Sequence, residues 1–175
     1  MNFAWRVQAL ALSFIFFTNN VWASENTQHA NATLVRQAFT HWQQGKGTVF
    51  DLLAPNAKWT VAGTSPVSGV YNSKAELAQV VRPITARLAT PIVPTVQSIV
   101  AQNDVVVVLW NGTAMALDHK PYNNTYLWHM TFKNGQIIEV TAFLDTYVLN
   151  DLIRRVEPHS SGWTILLAVK QFAFP

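Results

Sequence analysis

The sequence predicts an α+β fold in which a curved, mostly antiparallel sheet carries helices on one face. Three observations predict it. Helical periodicity is confined to the first half of the chain and to one short segment near the end. A run of strand-like segments joined by short turns fills Val96–Leu144. Asn134-Gly135 sits between two such segments, where both residue types tolerate the positive φ of a tight hairpin turn. Helices, a strand, a helix and then consecutive strands is an α+β order, unlike the strict alternation of a parallel sheet. With 175 residues the chain is long enough for one domain with a real core.

The elements follow in order. Residues 24–30 are polar and read as a loose linker to a domain over 31–157. Leu34, Val35, Ala38, Phe39 and Trp42 fall on one helical stripe, which Gly45-Lys46-Gly47 ends. Thr48–Leu53 reads as a short helix or turn capped by Thr48, and Pro55-Asn56 as a break. Ala57–Ala62 alternates Trp59 and Val61 against Lys58 and Thr60, the pattern of a strand. A Ser/Pro/Gly loop over Gly63–Gly69 leads to Ser73-Lys74-Ala75-Glu76, a capping box for a helix carrying Leu77, Val80 and Val81. Pro83 should bend or interrupt that helix, which resumes toward Leu88. Val96–Ala101 and Val105–Leu117 are strands around a turn at Gln102-Asn103-Asp104. The unbroken run Val105–Trp110 predicts a central strand buried on both faces. Asp118–Asn123 reads as the next turn, the Asn134-Gly135 hairpin follows, and Thr146–Val156 reads as a helix.

The hairpin's register decides what faces inward. Strict pairing sets Phe132 against Ile137 and Met130 against Glu139, which mixes carboxylates into an aromatic face. One extra residue at Ile138-Glu139, a β-bulge, puts Tyr126, Trp128, Met130, Phe132, Ile137, Val140, Ala142 and Leu144 together inside. Leu127, His129, Thr131, Thr141, Phe143 and Asp145 then lie outside. Register follows the buried face, so the bulged pairing is preferred.

Composition excludes several function classes. Charged residues make up only 12% of the chain, with a formal net charge of +3, and Arg154-Arg155 is the only adjacent basic pair. No basic stripe exists to follow a phosphate backbone, so no nucleic-acid partner is expected. The absence of cysteine rules out disulfides, thiolate metal sites and cysteine nucleophiles. No His/Asp/Glu trio has metal-ligand spacing, and neither a metal nor another cofactor is expected. Met1–Ala23 resembles a secretory signal peptide: Arg6 precedes the apolar run Ala9–Phe17, and Val21-Trp22-Ala23 ends in small-x-small style. Nine residues rise only about 14 Å as a helix, too short for a membrane anchor. Cleavage after Ala23 and a secreted or periplasmic location are the expectation. The apolar C-terminal extension over 158–175 is also too short to span a bilayer. It would pack on the domain, lie on a membrane as a peripheral contact, or insert into a partner.

Several segments together carry a family resemblance. They are Leu34-Val35-Arg36 through Trp42, the turn Leu52–Ala57, the Gly69 loop before a capped helix, Phe132–Val140, and Phe143-Leu144-Asp145-Thr146. In this order the chain resembles the SnoaL-like branch of the nuclear-transport-factor-2-like, or ketosteroid-isomerase-like, superfamily over about Leu34 to Val156. The resemblance implies a cone-shaped, cystatin-like domain. Its curved, mostly antiparallel sheet would carry about three to four helices on the concave face around an apolar pocket. It also implies a homodimer through the outer sheet face. The superfamily holds isomerases, hydrolases, cyclases and non-catalytic binding modules, so fold does not select function. Its catalytic positions are lost here. The oxyanion-donating tyrosine of ketosteroid isomerases falls on Ala38, their base at Thr60 or Val61, and their protonated aspartate at about Trp128. The carboxylate of limonene epoxide hydrolases falls on Ala142.

The expected ligand-binding residues are Trp59, Tyr126 and Trp128 on strands, with Tyr71 at the rim. Their indole and phenol donors suit a small hydrophobic molecule carrying one or two oxygens. Asp145 is either a general acid or base or the cap of the last helix, and the bulged register favours the cap. His129 faces outward in that register, His41 lies next to the apolar stripe of the first helix and reads as a surface or partly buried histidine in preference to one at the cavity mouth, and His119 and His29 have no evident partners. Two functions stay open: a binding module, and an acid–base enzyme of isomerase, cyclase, dehydratase or hydrolase type. The lost catalytic positions favour the first, and no catalytic residue is assigned.

Overall fold

The computed structural model describes residues 25–159. The signal-peptide segment and residues 160–175 of the apolar extension lie outside the described residues. Helix α1 covers 25–43, so residues 25–30, expected as a loose linker, are helical. Its stripe is the one read from the sequence: Val35, Ala38, Phe39 and Trp42 are buried. A 3-10 turn, Val49–Leu52, follows, with the Thr48 N–H donating to the Asp51 carboxylate at 2.7 Å.

Strand β1 runs Leu53–Val61 and β2 Gly69–Tyr71, then helix α2 spans Lys74–Thr85. Strands β3 (Val93–Gln102), β4 (Val105–Met115), β5 (Pro121–Lys133) and β6 (Gln136–Leu144) lead to helix α3, Thr146–Arg155. The six strands form one sheet in the order β2-β1-β6-β5-β4-β3. Every pairing is antiparallel except β1 with β6.

The hairpin takes the bulged register. Phe132 pairs with Ile137 and Thr131 with Glu139, so Ile138 is the extra residue. Asn134 and Gly135 both have positive φ, 52° and 75°, as a type I′ turn requires. Tyr126, Trp128, Met130, Phe132, Ile137, Val140 and Ala142 are buried in consequence, while Leu127, His129 and Phe143 are exposed.

Five further sequence expectations are corrected. Pro55 and Asn56 do not break the chain but lie inside β1, at the register shift between Leu53 and Lys58, where the ladder does not need a Pro N–H. Gly69–Tyr71 is a short edge strand rather than loop and helix lead-in. Pro83 does not interrupt α2, which runs through it to Thr85 and ends before Leu88. The turn after β4 is shorter than expected, so Tyr122 and Asn123 belong to β5. Finally, β4 is not buried on both faces: Val106, Val108 and Trp110 are buried, whereas Val105, Val107 and Leu109 are only half-buried.

The helices lie on the inner face. The α1 ring of Phe39 meets Trp110 and Trp128 at centroid distances of 5.5 and 6.0 Å. Helix α2 lies against β1 and β2, and α3 against β5. Arg87 Nε donates to the Val156 carbonyl at 2.8 Å, and the His159 N–H to the Ala86 carbonyl at 3.0 Å, which ties the end of α3 to the turn after α2. No described helix is long and apolar enough to cross a membrane.

Candidate functional site

The inner faces of the sheet, α1 and α2 line a half-open cavity of about 100 Å³. All four residues expected at a ligand site line it: Trp59 from β1, Tyr71 from β2, and Tyr126 and Trp128 from β5. Alternation along the bulged hairpin brings the last two inward, together with Ala142 and Leu144 of β6. Half-buried Val81 and Ile84 of α2 form the opposite wall. The rings interlock. Trp59 meets Trp128 edge-to-face at 5.0 Å, and Trp110 stacks on Tyr126 at 4.0 Å with 10° between planes. Gly112 makes that stack possible. A Cβ there would come within 2.9 Å of Ile92 Cγ2, 3.0 Å of Trp110 Cζ3 and 3.1 Å of Tyr126 Cε2.

The polar groups of the lining residues include a chain of hydrogen bonds through Tyr122 and Tyr126 and the hydroxyls of Tyr71 and Thr85. Buried Asn124 pairs with the backbone of Asp145 in both directions: its Oδ1 accepts from the Asp145 N–H and its Nδ2 donates to the Asp145 carbonyl, each at 3.0 Å. Nδ2 also donates to Tyr122 Oη at 3.1 Å, and Tyr122 Oη lies 3.1 Å from Tyr126 Oη. Burial raises the pKa of both phenols, that of Tyr126 well above the usual tyrosine value, so both stay protonated at neutral pH. Tyr71 Oη donates to the Val67 carbonyl at 2.7 Å. The indole N–H groups of Trp42 and Trp110 are buried with no acceptor among the described residues.

Among the described residues, no Asp, Glu, His, Lys or Arg lines the cavity. Asp145 is the cap that the outward register favours. Its Oδ1 accepts from the N–H groups of Tyr147 and Val148 at 3.0 and 3.2 Å, and its side chain does not reach the cavity wall. His129 is exposed on the outer sheet face, paired with Val107 and Thr141. His29, His41 and His119 are exposed as well. Of the positions that the resemblance assigns to catalysis, Val61, Trp128 and Ala142 line the cavity and Ala38 and Thr60 do not. No group of His, Asp and Glu able to hold a metal exists among the described residues.

Sequence reasoning missed Trp42, Tyr122 and Asn124. Trp42 reads as one more residue of a helical stripe, and Tyr122 was placed in a turn. The alternation Tyr122, Asn124, Tyr126, Trp128 was the available signal, since period two puts all four on one face. A second hollow of about 850 Å³ lies beyond Trp42 and Ile92, which line both spaces.

The profile of the SnoaL-like domain family matches residues 35–140. Several solved structures share the fold. Bal32a, from a soil-derived mobile gene cassette, superposes with a TM-score of 0.61 at 20% identity, over 73% of this chain and 99% of that one. An NTF2-like protein of unknown function from Burkholderia pseudomallei gives 0.59 at 18% identity, over 71% and 97%. A SnoaL-like protein from Jannaschia, assigned to the polyketide cyclases by similarity, gives 0.59 at 12% identity, over 74% and 94%. No curated protein matches the chain.

Proposed function

We propose that this chain, which belongs to the SnoaL-like domain family, is a binding module for a small, uncharged, hydrophobic molecule carrying oxygen. The observation that carries this reading is the cavity wall: the nineteen described residues that line it carry no carboxylate, imidazole, amine or guanidinium. An anion or cation there would lose its hydration and meet no counter-charge, a desolvation loss that such a wall cannot offset. An uncharged ring gains the burial of its apolar surface against Trp59, Tyr71, Tyr126 and Trp128. General acid–base chemistry needs a group that titrates near the working pH, and the tyrosines of this wall are pushed away from it. The likeness to the Jannaschia protein favours the second reading, an enzyme on a similar molecule, in which a protonated phenol would steady a developing oxyanion.

The test is isothermal titration with methylcyclohexane and with cyclohexanecarboxylate across pH. The reading predicts that the hydrocarbon binds at every pH, and that the acid binds only where it is protonated. Equal affinity for the carboxylate anion would refute it.

Two further proposals complete the reading. The protein is exported after cleavage behind Ala23, on the strength of Arg6 and the short apolar run. N-terminal sequencing from the native host checks this, and a protein still starting at Met1 contradicts it. It also pairs with a second copy through the outer sheet face. There Leu109, Leu127 and Phe143 lie side by side across β4, β5 and β6, and Leu127 and Phe143 are 36% and 51% exposed.

A further inference from the structure

One end of the domain joins three segments that lie far apart in the chain. The Leu117 N–H donates to the Arg87 carbonyl at 2.9 Å, and Arg87 Nε donates to the Val156 carbonyl at 2.8 Å. The His159 N–H donates to the Ala86 carbonyl at 3.0 Å. Arg155 clamps the same end by donating to the Asp118 and Asp151 carboxylates. The end of α2 and the turn after it, the turn between β4 and β5, and the end of α3 therefore form one surface.

That surface is basic. Arg82, Arg87, Lys120, Arg154 and Arg155 outnumber Asp118, Asp151 and Glu157 there. The two aspartates are taken by Arg155. Arg82, Lys120 and Arg154 are exposed, and among the described residues none of the three is in an ion pair. Cations in a last helical turn suit the helix dipole, which would by itself account for Arg82 on α2 and Arg154 on α3. It does not account for Lys120, which stands outside any helix. Nor does it account for Met115, an apolar residue 38% exposed, whose carbonyl accepts from the Ala89 and Thr90 N–H groups beside this end.

The chain leaves the described structure from this surface, at His159. Residues 160–175 follow. They include Trp163, Leu166, Leu167, Phe172 and Phe174, with Lys170 as the only charged side chain. An apolar segment too short to cross a bilayer suits its interface, where Trp is favoured. A single apolar anchor holds a protein to a membrane only marginally, and a basic surface beside it makes the attachment stable. Both signals stand at one place here.

We infer that this end of the domain is a docking surface for anionic membranes. Residues 160–175 enter the lipid interface while Arg82, Lys120 and Arg154 meet the headgroup phosphates. Each cation near such a surface is worth about fivefold in binding, so the three together are worth on the order of a hundredfold. The inference does not rest on the ligand reading of the cavity.

The test is co-sedimentation of the protein, in the form its native host delivers, with two kinds of vesicle. One is phosphatidylcholine alone and the other contains phosphatidylglycerol as well. The protein should bind the anionic vesicles far more tightly. Raising salt from about 0.1 M to about 1 M should weaken that binding, because the screening length falls from about 10 Å to about 3 Å. Combining Arg82→Gln, Lys120→Gln and Arg154→Gln should lower binding by roughly a hundredfold with little change in Tm. A chain ended after His159 should lose binding as well. Trp163 fluorescence, read as the difference from Trp163→Phe, should shift to the blue with anionic vesicles only. Equal binding to both vesicles, or a triple variant that binds like the parent, overturns the inference. So does a full chain that ignores both vesicles while the shortened one melts at a lower temperature, since the extension would then pack on the domain.

Discussion

Asp145 separates a structural carboxylate from a catalytic one. Its Oδ1 accepts from two N–H groups in the first turn of α3, those of Tyr147 and Val148. That helix delivers Leu149 and Leu152 to the core, 2% and 0% exposed, so loosening its first turn disturbs buried packing. Asp145→Ala removes both bonds and the negative charge at the helix N-terminus. Loss of such a cap costs about 0.5–2 kcal/mol, and the charge at the helix end accounts for about 0.3–1 kcal/mol of interaction within that range. For a domain of this size each kcal/mol lowers Tm by roughly 2–8 °C. Asp145→Asn keeps an acceptor at the same place and should lose only a few tenths of a kcal/mol. Thermal denaturation by circular dichroism checks both variants, with titration of methylcyclohexane alongside. The expected result is a clear drop in Tm for Ala, a small one for Asn, and unchanged affinity in both. If Asn melts like the unmodified protein yet loses turnover of some substrate by orders of magnitude, Asp145 is catalytic and the capping argument fails.

Further outcomes follow from the same contacts. Gly112→Ala forces a Cβ into Ile92, Trp110 and Tyr126 and should destabilise by about 1–3 kcal/mol, with a perturbed near-ultraviolet spectrum; a variant as stable as the parent would show that the stack is loose. Phe143→Asp combined with Leu127→Lys should yield monomers in analytical ultracentrifugation, whereas an unmodified protein that sediments as a monomer at high concentration contradicts the proposed dimer. Asp118, on the turn between β4 and β5, is bound by the Arg155 guanidinium, which lowers its pKa chiefly through that hydrogen bond. A lowered folded-state pKa contributes stability above the unfolded value of about 3.9, and that contribution is lost as pH falls through the folded value. Asp118→Asn should therefore lower Tm at pH 7 and make progressively less difference under acid; a gap that stays constant with pH would refute the ion pair.

Much of this fold was legible because its pattern is local. The α1 stripe, the Ser73 cap and the bulged hairpin each follow from residues close in sequence. Ser73 Oγ does accept from the Glu76 N–H at 3.1 Å. The bulge was legible because only one register separates carboxylates from aromatics. The parallel pairing of β1 with β6 was not, since Trp59 meets Val140 across eighty residues and no local signal encodes that choice. Nor was β2, whose three residues carry no period. Strand β4 misled because Val105–Trp110 is apolar throughout, while its outer residues are only half-covered. The site divides in the same way. Trp59, Tyr126 and Trp128 could be named from strand alternation, and Tyr71 from its place after the Gly-rich loop. Trp42 and Tyr122 acquire their roles only when α1 and the far end of β5 meet over one cavity.

The central claim is that this cavity is where the ligand sits, and filling it tests that claim directly. Ala142, on β6, is 3% exposed and lines the cavity. Ala142→Leu adds apolar volume inside it without adding charge or removing a hydrogen bond. The measurement is the Kd of cyclohexanone for this variant and for the parent, with Tm recorded for both. The account predicts a cooperatively folded variant whose ketone binding is lost. A variant that folds and binds cyclohexanone with the parent's affinity would place the ligand elsewhere and contradict the account.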